Sequence, residues 1–236
     1  MKEVLKKIIP DRLIKLYHSE RKHSLKKLRN IPEDERVHFD STTVNAGHFN
    51  VKYRGISAIK CPFDYVMYQM IISELKPDLV IEIGTNYGGG ALYLADLMEI
   101  TGEGMIHSID IVKKTGSMVT HHPRIKLFTD GWEKYDLSEA KNFSKILVIE
   151  DASHMYGDTL AALRKFSPLV SVGSYLIVED GIMNDLNKEK GFHGGPLRAI
   201  REFLAENKNF EVDRTYCDMF GKNATWNVNG YLKKVG

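Results

Sequence analysis

Two apolar runs in this chain end in paired acids. ILVIEDASH ends in Glu150 and Asp151, with His154 three residues further on, and YLIVED ends in Glu179 and Asp180. Short apolar runs of this kind read as strands, and neighbouring strands lie about 4.8 Å apart. If these two are neighbours, Asp151, Glu179 and Asp180 converge on one point. Three packed carboxylates repel, and they hold protons unless a cation stands among them. An all-oxygen set with room for water suits Mg²⁺, with Mn²⁺ the second candidate; zinc more often draws His or Cys. His154 can take up a proton near neutral pH, so it is a candidate general base. Two plainer readings stay open: acids that simply cap strand ends in solvent, and a histidine that supports the fold or a metal ligand.

A second constellation lies at the end of an earlier run, VIEIGTNYGGG, which holds Glu82, Gly84, Thr85, Asn86, Tyr87 and Gly88. Gly84 lets the chain turn sharply where the strand ends. Gly88, Gly89 and Gly90 permit a close approach of a ligand to the backbone and open a helix, whose N-terminus favours negative charge. In open α/β sheets ligands bind at the carboxyl ends of the strands. A nicotinamide fingerprint needs glycine where Asn86 stands, and no Gly-Lys-Ser/Thr of a phosphate loop follows. Asp110 closes the next run, IHSID, where a carboxylate could accept both hydroxyls of a ribose. The plain alternative is a tight strand-to-helix turn without a ligand.

These residues need a sheet to hold them. Strand-like runs cover Leu79–Ile83, Met105–Ile109, Ile125–Phe128, Ile146–Ile149, Tyr175–Val178, Phe210–Arg214 and Thr225–Leu232. Helical patterns cover 63–75, 89–100, 156–166 and 196–206, with Pro77 closing the first. The first five strands are nearly continuously apolar, as strands buried on both faces of a parallel sheet are. Alternating strands and helices predict a doubly wound, Rossmann-like α/β sheet of about seven strands. The segment between the second and third strands offers little room for a helix. TYCDMFGKNA, between the last two, reads as a loop, so the final strand is expected to run antiparallel. Residues 31–62 read as loops with short elements, which gives a helical and loop extension over 1–62 and a main domain over 63–236.

The E-x-G-x-x-x-G spacing from Glu82 to Gly88 resembles the first motif of class I methyltransferases. From about Pro77 to Val235 the chain resembles the cephalosporin hydroxylase and rhamnosyl O-methyltransferase family. The matching pieces are VIEIGTNYGGGALYLADL, the D-x-x-H of Asp151 to His154, GSYLIVED, GGPLRAIREFLAENKNFEVD and NGYLKKV. The resemblance implies S-adenosylmethionine as methyl donor, Mg²⁺ or Mn²⁺ at the site, and a hydroxyl as acceptor. It puts Glu82, Gly84, Thr85, Asn86, Tyr87 and Gly88 on the cofactor, Asp110 on its ribose, and the metal on Asp151, Glu179 and Asp180. Asp130 and Gly131 stand where the family often has Gly-Ser-Ser; they are expected near the adenine, with Trp132 over the ring or packed in its loop. The step from Asp151 to His154 is similar to catechol-type methyltransferases, which carry a catalytic lysine at that offset. The expected acceptor is a sugar hydroxyl in a bacterial glycan or glycosylated metabolite. A small antibiotic or phenolic hydroxyl is the alternative, and a cofactor-binding scaffold without activity is the alternative of another class. The loop GFHGGP, Gly191 to Pro196, follows the fifth strand's end and is expected to border the acceptor through His193.

Composition bounds the rest. Apolar residues at 43% and charged residues at 27% suit a globular protein with a substantial core. Residues 1–30 carry ten Lys or Arg against three Asp or Glu, net +7, which leaves −5 for the remainder of a chain whose total is +2. That basic arm, an amphipathic helical pattern over 2–30, is expected to pack on the body, on another copy of a homo-oligomer, or on an anionic membrane face. No nucleic-acid partner is expected. Cys61 and Cys217 are too few for a disulfide framework or a zinc cluster. No run is long enough for a membrane span, and the charged N-terminus is unlike a secretory signal, so a cytoplasmic protein is expected.

Overall fold

Alternate residues of one strand point to opposite faces, so a strand that is apolar throughout must be covered on both. The computed structural model, which describes residues 32–236, shows this arrangement. The chain forms two units, residues 1–40 and 41–236. Of the first, Glu33–Glu35 is a single 3₁₀ turn; the amphipathic pattern over 2–30 lies outside the described residues.

The second unit opens with α1 (Ser41–His48) and a short antiparallel hairpin, β1 (Lys52–Tyr53) with β2 (Ile56–Ser57). Then come α2 (Pro62–Leu75), β3 (Leu79–Ile83), α3 (Gly89–Thr101), β4 (Met105–Ile109), α4 (Ser117–Thr120) and β5 (Ile125–Phe128). The chain returns through β6 (Ile146–Glu150), α5 (Tyr156–Phe166), β7 (Tyr175–Val178), α6 (Gly195–Glu206), β8 (Phe210–Val212), α7 (Arg214–Cys217) and β9 (Tyr231–Lys234). The sheet order is β5-β4-β3-β6-β7-β9-β8. β3 to β7 pair in parallel, and β9 slots antiparallel between β7 and β8.

β3, β6 and β7 are buried along their whole length. Val80, Ile106 and Leu147 face one way, against Met67, Ile71, Leu92 and Met98 of α2 and α3. Leu79, Ile81, Val148 and Leu176 face the other, against Leu163, Phe166, Ile200 and Phe203 of α5 and α6. The strand order reverses between β3 and β6, which opens a crevice at their carboxyl ends.

The last two strands are shorter than their apolar patterns suggest, for an identifiable reason in each case. Asp213 accepts from Thr215 N at 2.9 Å, so it caps α7 and ends β8 at Val212. Thr225 and Trp226 are drawn out of the ladder by the buried Asp64 carboxylate, which accepts from Thr225 Oγ1 and from Trp226 N. β9 therefore starts at Tyr231 rather than Thr225.

Candidate active site

Each chemical residue stands just past a strand and is still held by the ladder. Gly84 N donates to Ile109 O at 2.8 Å, Asp110 N to Phe128 O at 2.9 Å, Asp151 N to Ile83 O at 2.8 Å, and Glu179 N to Glu150 O at 2.9 Å. The sheet thus fixes these positions before any loop is considered. At Gly84, φ is +107°, and a Cβ would come within 1.9 Å of Asp151 O, so glycine is what lets the ends of β3 and β6 close up. Of the glycines that follow, the close neighbours belong to the chain itself. A Cβ on Gly88 would meet Val119 at 2.8 Å, on Gly89 Ser57 O at 2.3 Å, and on Gly90 Glu82 Oε1 at 2.7 Å.

The crevice holds a cavity of about 450 Å³, a size ordinary for a small-molecule site. One half of its wall is Glu82, Gly84, Thr85, Asn86, Asp110, Gly131 and Trp132. Asp110 accepts from Asn86 N and Ile111 N, both at 2.7 Å, and so holds two loops together at the mouth. Glu82 Oε2 accepts from Ser108 Oγ at 2.6 Å, and Ser108 pairs with Thr85 at 2.7 Å. Tyr87, Gly88 and Asp130 stand off this wall. Tyr87 is exposed with Lys114 over its ring, Gly88 packs on Val119, and Asp130 is exposed.

The other half gathers Asp151, His154, Glu179 and Asp180. Asp151, His154 and Asp180 each offer a ligand atom within 4.8 Å of the others. His154 Nε2 is 3.1 Å from Asp180, while its Nδ1 is buried without a hydrogen-bond partner. Glu179 is engaged elsewhere: Lys60 Nζ lies 2.5 Å from it and Tyr68 OH donates to it at 2.6 Å. The same Lys60 Nζ reaches Asp151 at 2.9 Å. Of the acids expected to share a cation, Asp151 and Asp180 thus converge together with His154, and Glu179 faces the ammonium.

The electrostatics follow from burial. Burial pushes Glu82, Glu150 and Glu179 up to about 7, with Lys60 opposing it at Glu82 and Glu179 and His154 at Glu150. Asp151 and Asp180 are raised for the same reason. Burial alone would lower Lys60 and His154, but the surrounding carboxylates outweigh it and raise both. An excess of buried acid over base, with oxygen donors and one imidazole in reach of each other, fits a hard divalent cation. Asn86, His154 and Asp180 also adopt left-handed backbone, with φ of 48°, 58° and 58°. Non-glycine residues seldom do so, and such positions concentrate at functional sites.

His193 is exposed and lies off the cavity wall; its neighbour Phe192 packs edge-on against the His154 ring at 6.2 Å. Residues that carried no motif complete the wall: His48 and Trp226, 5.8 Å apart between ring centroids, with Lys60 and Cys61. The one trace of Lys60 in the sequence is a charge inside the apolar stretch AIKCPF.

A parallel sheet with an antiparallel strand slotted beside its last member, and a cavity at the switch point lined by strand-end acids, is the architecture of the Rossmann-like methyltransferases. Residues 46–235 match the family described as Rhamnosyl O-methyltransferase/CmcI. The Rhamnosyl O-methyltransferase of Mycobacterium tuberculosis is 34% identical over 189 residues, covering 76% of this chain and 76% of that protein. That of Mycobacterium leprae is 32% identical over 188 residues, covering 76% of this chain and 81% of its own. The chain belongs to this family of O-methyltransferases. In fold it is similar to CmcI solved with Mg and SAM, at a TM-score of 0.61 and 21% identity over 88% of this chain and 86% of that one. It is likewise similar to the O-methyltransferase TomG of Streptomyces achromogenes, solved with SAM, at 0.52 and 15% over 86% and 93%.

Proposed function

We propose that this enzyme transfers a methyl group from S-adenosylmethionine to a sugar hydroxyl, with a divalent cation at the carboxylate cluster. The observation that carries the reading is one cavity that joins the Gly84–Asp110 wall to Asp151, His154 and Asp180. The donor bound in the CmcI and TomG structures, the Mg in the former, and the rhamnosyl specificity named for the mycobacterial relatives support it.

On this reading Asp110 receives the ribose through Oδ2, which accepts only from Asn86 N, whereas Oδ1 already accepts from Ile111 N and Val112 N. Gly131 and Trp132 flank the base. Asp151 and Asp180 would hold the cation, with Glu179 as a further donor. When bound, the cation lowers the pKa of the acceptor hydroxyl, and the sulfonium supplies the methyl and a good leaving group. Trp226 offers an apolar face to a sugar ring, with His48 beside it. His154 stands next to the acids and takes the hydroxyl proton; with Nδ1 buried, Nε2 is the nitrogen that would meet the acceptor, once Asp180, 3.1 Å from it, turns to the cation. Alignment of hydroxyl and methyl within this wall supplies much of the remaining acceleration.

The test is transfer of labelled methyl to rhamnosides and to phenols, with Mg²⁺ or with excess chelator. Rhamnoside methylation that stops in chelator is expected. Calorimetry should show Asp110→Ala weakening S-adenosylmethionine by about 1.5–3 kcal/mol. His154→Ala should slow the chemical step about 10²–10⁴-fold; an equal loss of metal affinity would make His154 a ligand instead. Full activity in chelator, or turnover of phenols alone, would refute the proposal.

A further inference from the structure

Lys60 is the buried cation of the acidic half, and it comes from the segment that crosses the start of α3. Only 5% of the residue is exposed. Its Nζ bridges Asp151 Oδ2 at 2.9 Å and Glu179 Oε1 at 2.5 Å, and it lies 5.6 Å from the centre of the Tyr68 ring. An ammonium in that gap meets the two carboxylates as a metal would, at the place where β6 and β7 end. Two cations cannot share it cheaply, because like charges a few ångströms apart in a poorly solvated pocket repel strongly.

Lys60 has a second acceptor close at hand. A Cβ placed on Gly90 would lie 2.7 Å from Glu82 Oε1, 3.0 Å from Lys60 Cε and 3.8 Å from Lys60 Nζ, so lysine and glutamate flank the same point. Glu82 spends its other oxygen, Oε2, on Ser108. Because residue 90 is glycine, no side chain stands between them.

Resting on the reading that a divalent cation binds here, we infer that Lys60 is an internal cation that competes with the metal for Asp151 and Glu179, and turns toward Glu82 when the metal enters. Metal affinity is then set by an exchange of one cation for another, not by an open cluster of acids. Lys60 acts through the carboxylates it releases and is a positioning residue.

Mn²⁺ titration by calorimetry and electron paramagnetic resonance tests this, together with melting curves in chelator. Lys60→Met is expected to bind Mn²⁺ about tenfold more tightly than the parent. It should also melt lower than the parent in chelator, with the deficit recovered on adding Mn²⁺. Equal or weaker Mn²⁺ binding by a folded Lys60→Met overturns the inference and leaves the metal reading intact. If Lys60→Met does not fold, Glu82→Gln decides. Loss of the second acceptor should weaken Mn²⁺ about tenfold, and unchanged affinity overturns the inference. Absence of Mn²⁺ binding in the parent and both variants overturns the metal reading together with it.

Discussion

Asp64 carries no motif, yet it ties the N-terminal end of α2 to the chain just before β9. Its carboxylate is buried and accepts from Thr225 Oγ1, from Trp226 N at 3.0 Å and from Tyr231 OH at 2.9 Å. Trp226 is thereby held at the cavity wall. Burial nonetheless dominates and pushes Asp64 up to about 7, against those hydrogen bonds. A carboxyl raised above its unfolded value binds its proton more tightly when folded. Its contribution to stability is full below the unfolded pKa and is lost as pH rises through 7. The slope is at most about 1.4 kcal/mol per pH unit for one proton. Asp64→Asn should remove that slope. Melting curves from pH 5 to pH 8 should show the parent losing stability relative to the variant as pH rises. Parallel curves would count against the assignment. Asp110, Asp151 and Glu179 at strand ends, and His154 in the loop after β6, were legible in the sequence because an apolar run marks where each of these segments emerges. Asp64, Lys60 and Trp226 were not, because each matters through a partner far away in the chain: Asp64 to Thr225, Lys60 to Glu179.

Among the elements, the helix α3 depends on what crosses its first turn. A Cβ on Gly89 would sit 2.3 Å from Ser57 O and 2.6 Å from the Ala58 Cβ, and backbone cannot step aside as a side-chain end can. Gly116, ahead of α4, has nothing within 4 Å of a Cβ. Gly89→Ala should therefore cost about 1–3 kcal/mol, as overpacking does. It should also weaken cofactor binding, because Ser57–Cys61 and Gly89 line the same cavity as Gly84 and Asp110. Gly116→Ala should be nearly silent. Denaturant unfolding of the pair checks the contrast, and equal stability of both variants would show that the 57–60 segment yields. Element boundaries were legible where apolar runs alone define them, as in β3, β4, β5 and β7. They shifted where a carboxylate from elsewhere claims the backbone, as Asp64 does ahead of β9.

For the molecule as a whole, residues 41–236 form one unit that contains the entire candidate site, including His48 and Ser57–Cys61 from the stretch that reads as an extension in sequence. No helix among the described residues is long and apolar enough to cross a membrane. The basic arm, with Lys2, Lys6, Lys7, Arg12 and Lys15 beside an apolar stripe, lies outside that unit in sequence. Its stripe is expected to serve association between copies. Deleting residues 1–30 should lower the mass seen by light scattering and leave S-adenosylmethionine affinity unchanged. An unchanged mass, with binding of the parent to anionic vesicles that fades as salt rises, would make the arm a membrane contact instead.

Alternating apolar runs and helical periods determined the sheet, its parallel body and the acids at its carboxyl ends, because burial on two faces leaves a local record in every strand. The motifs from Val80 to Val235 determined the family. Tertiary structure alone decided what faces those acids. Lys60, His48 and Trp226 reach the cavity from segments separated by up to 178 residues, and Tyr68 donates to Glu179 from α2. It also decided that Glu179 meets an ammonium while Asp151, His154 and Asp180 meet one another. Charge pairing at 2.5 to 3.1 Å depends on which loops fold over the crevice, and spacing along the chain keeps no record of that.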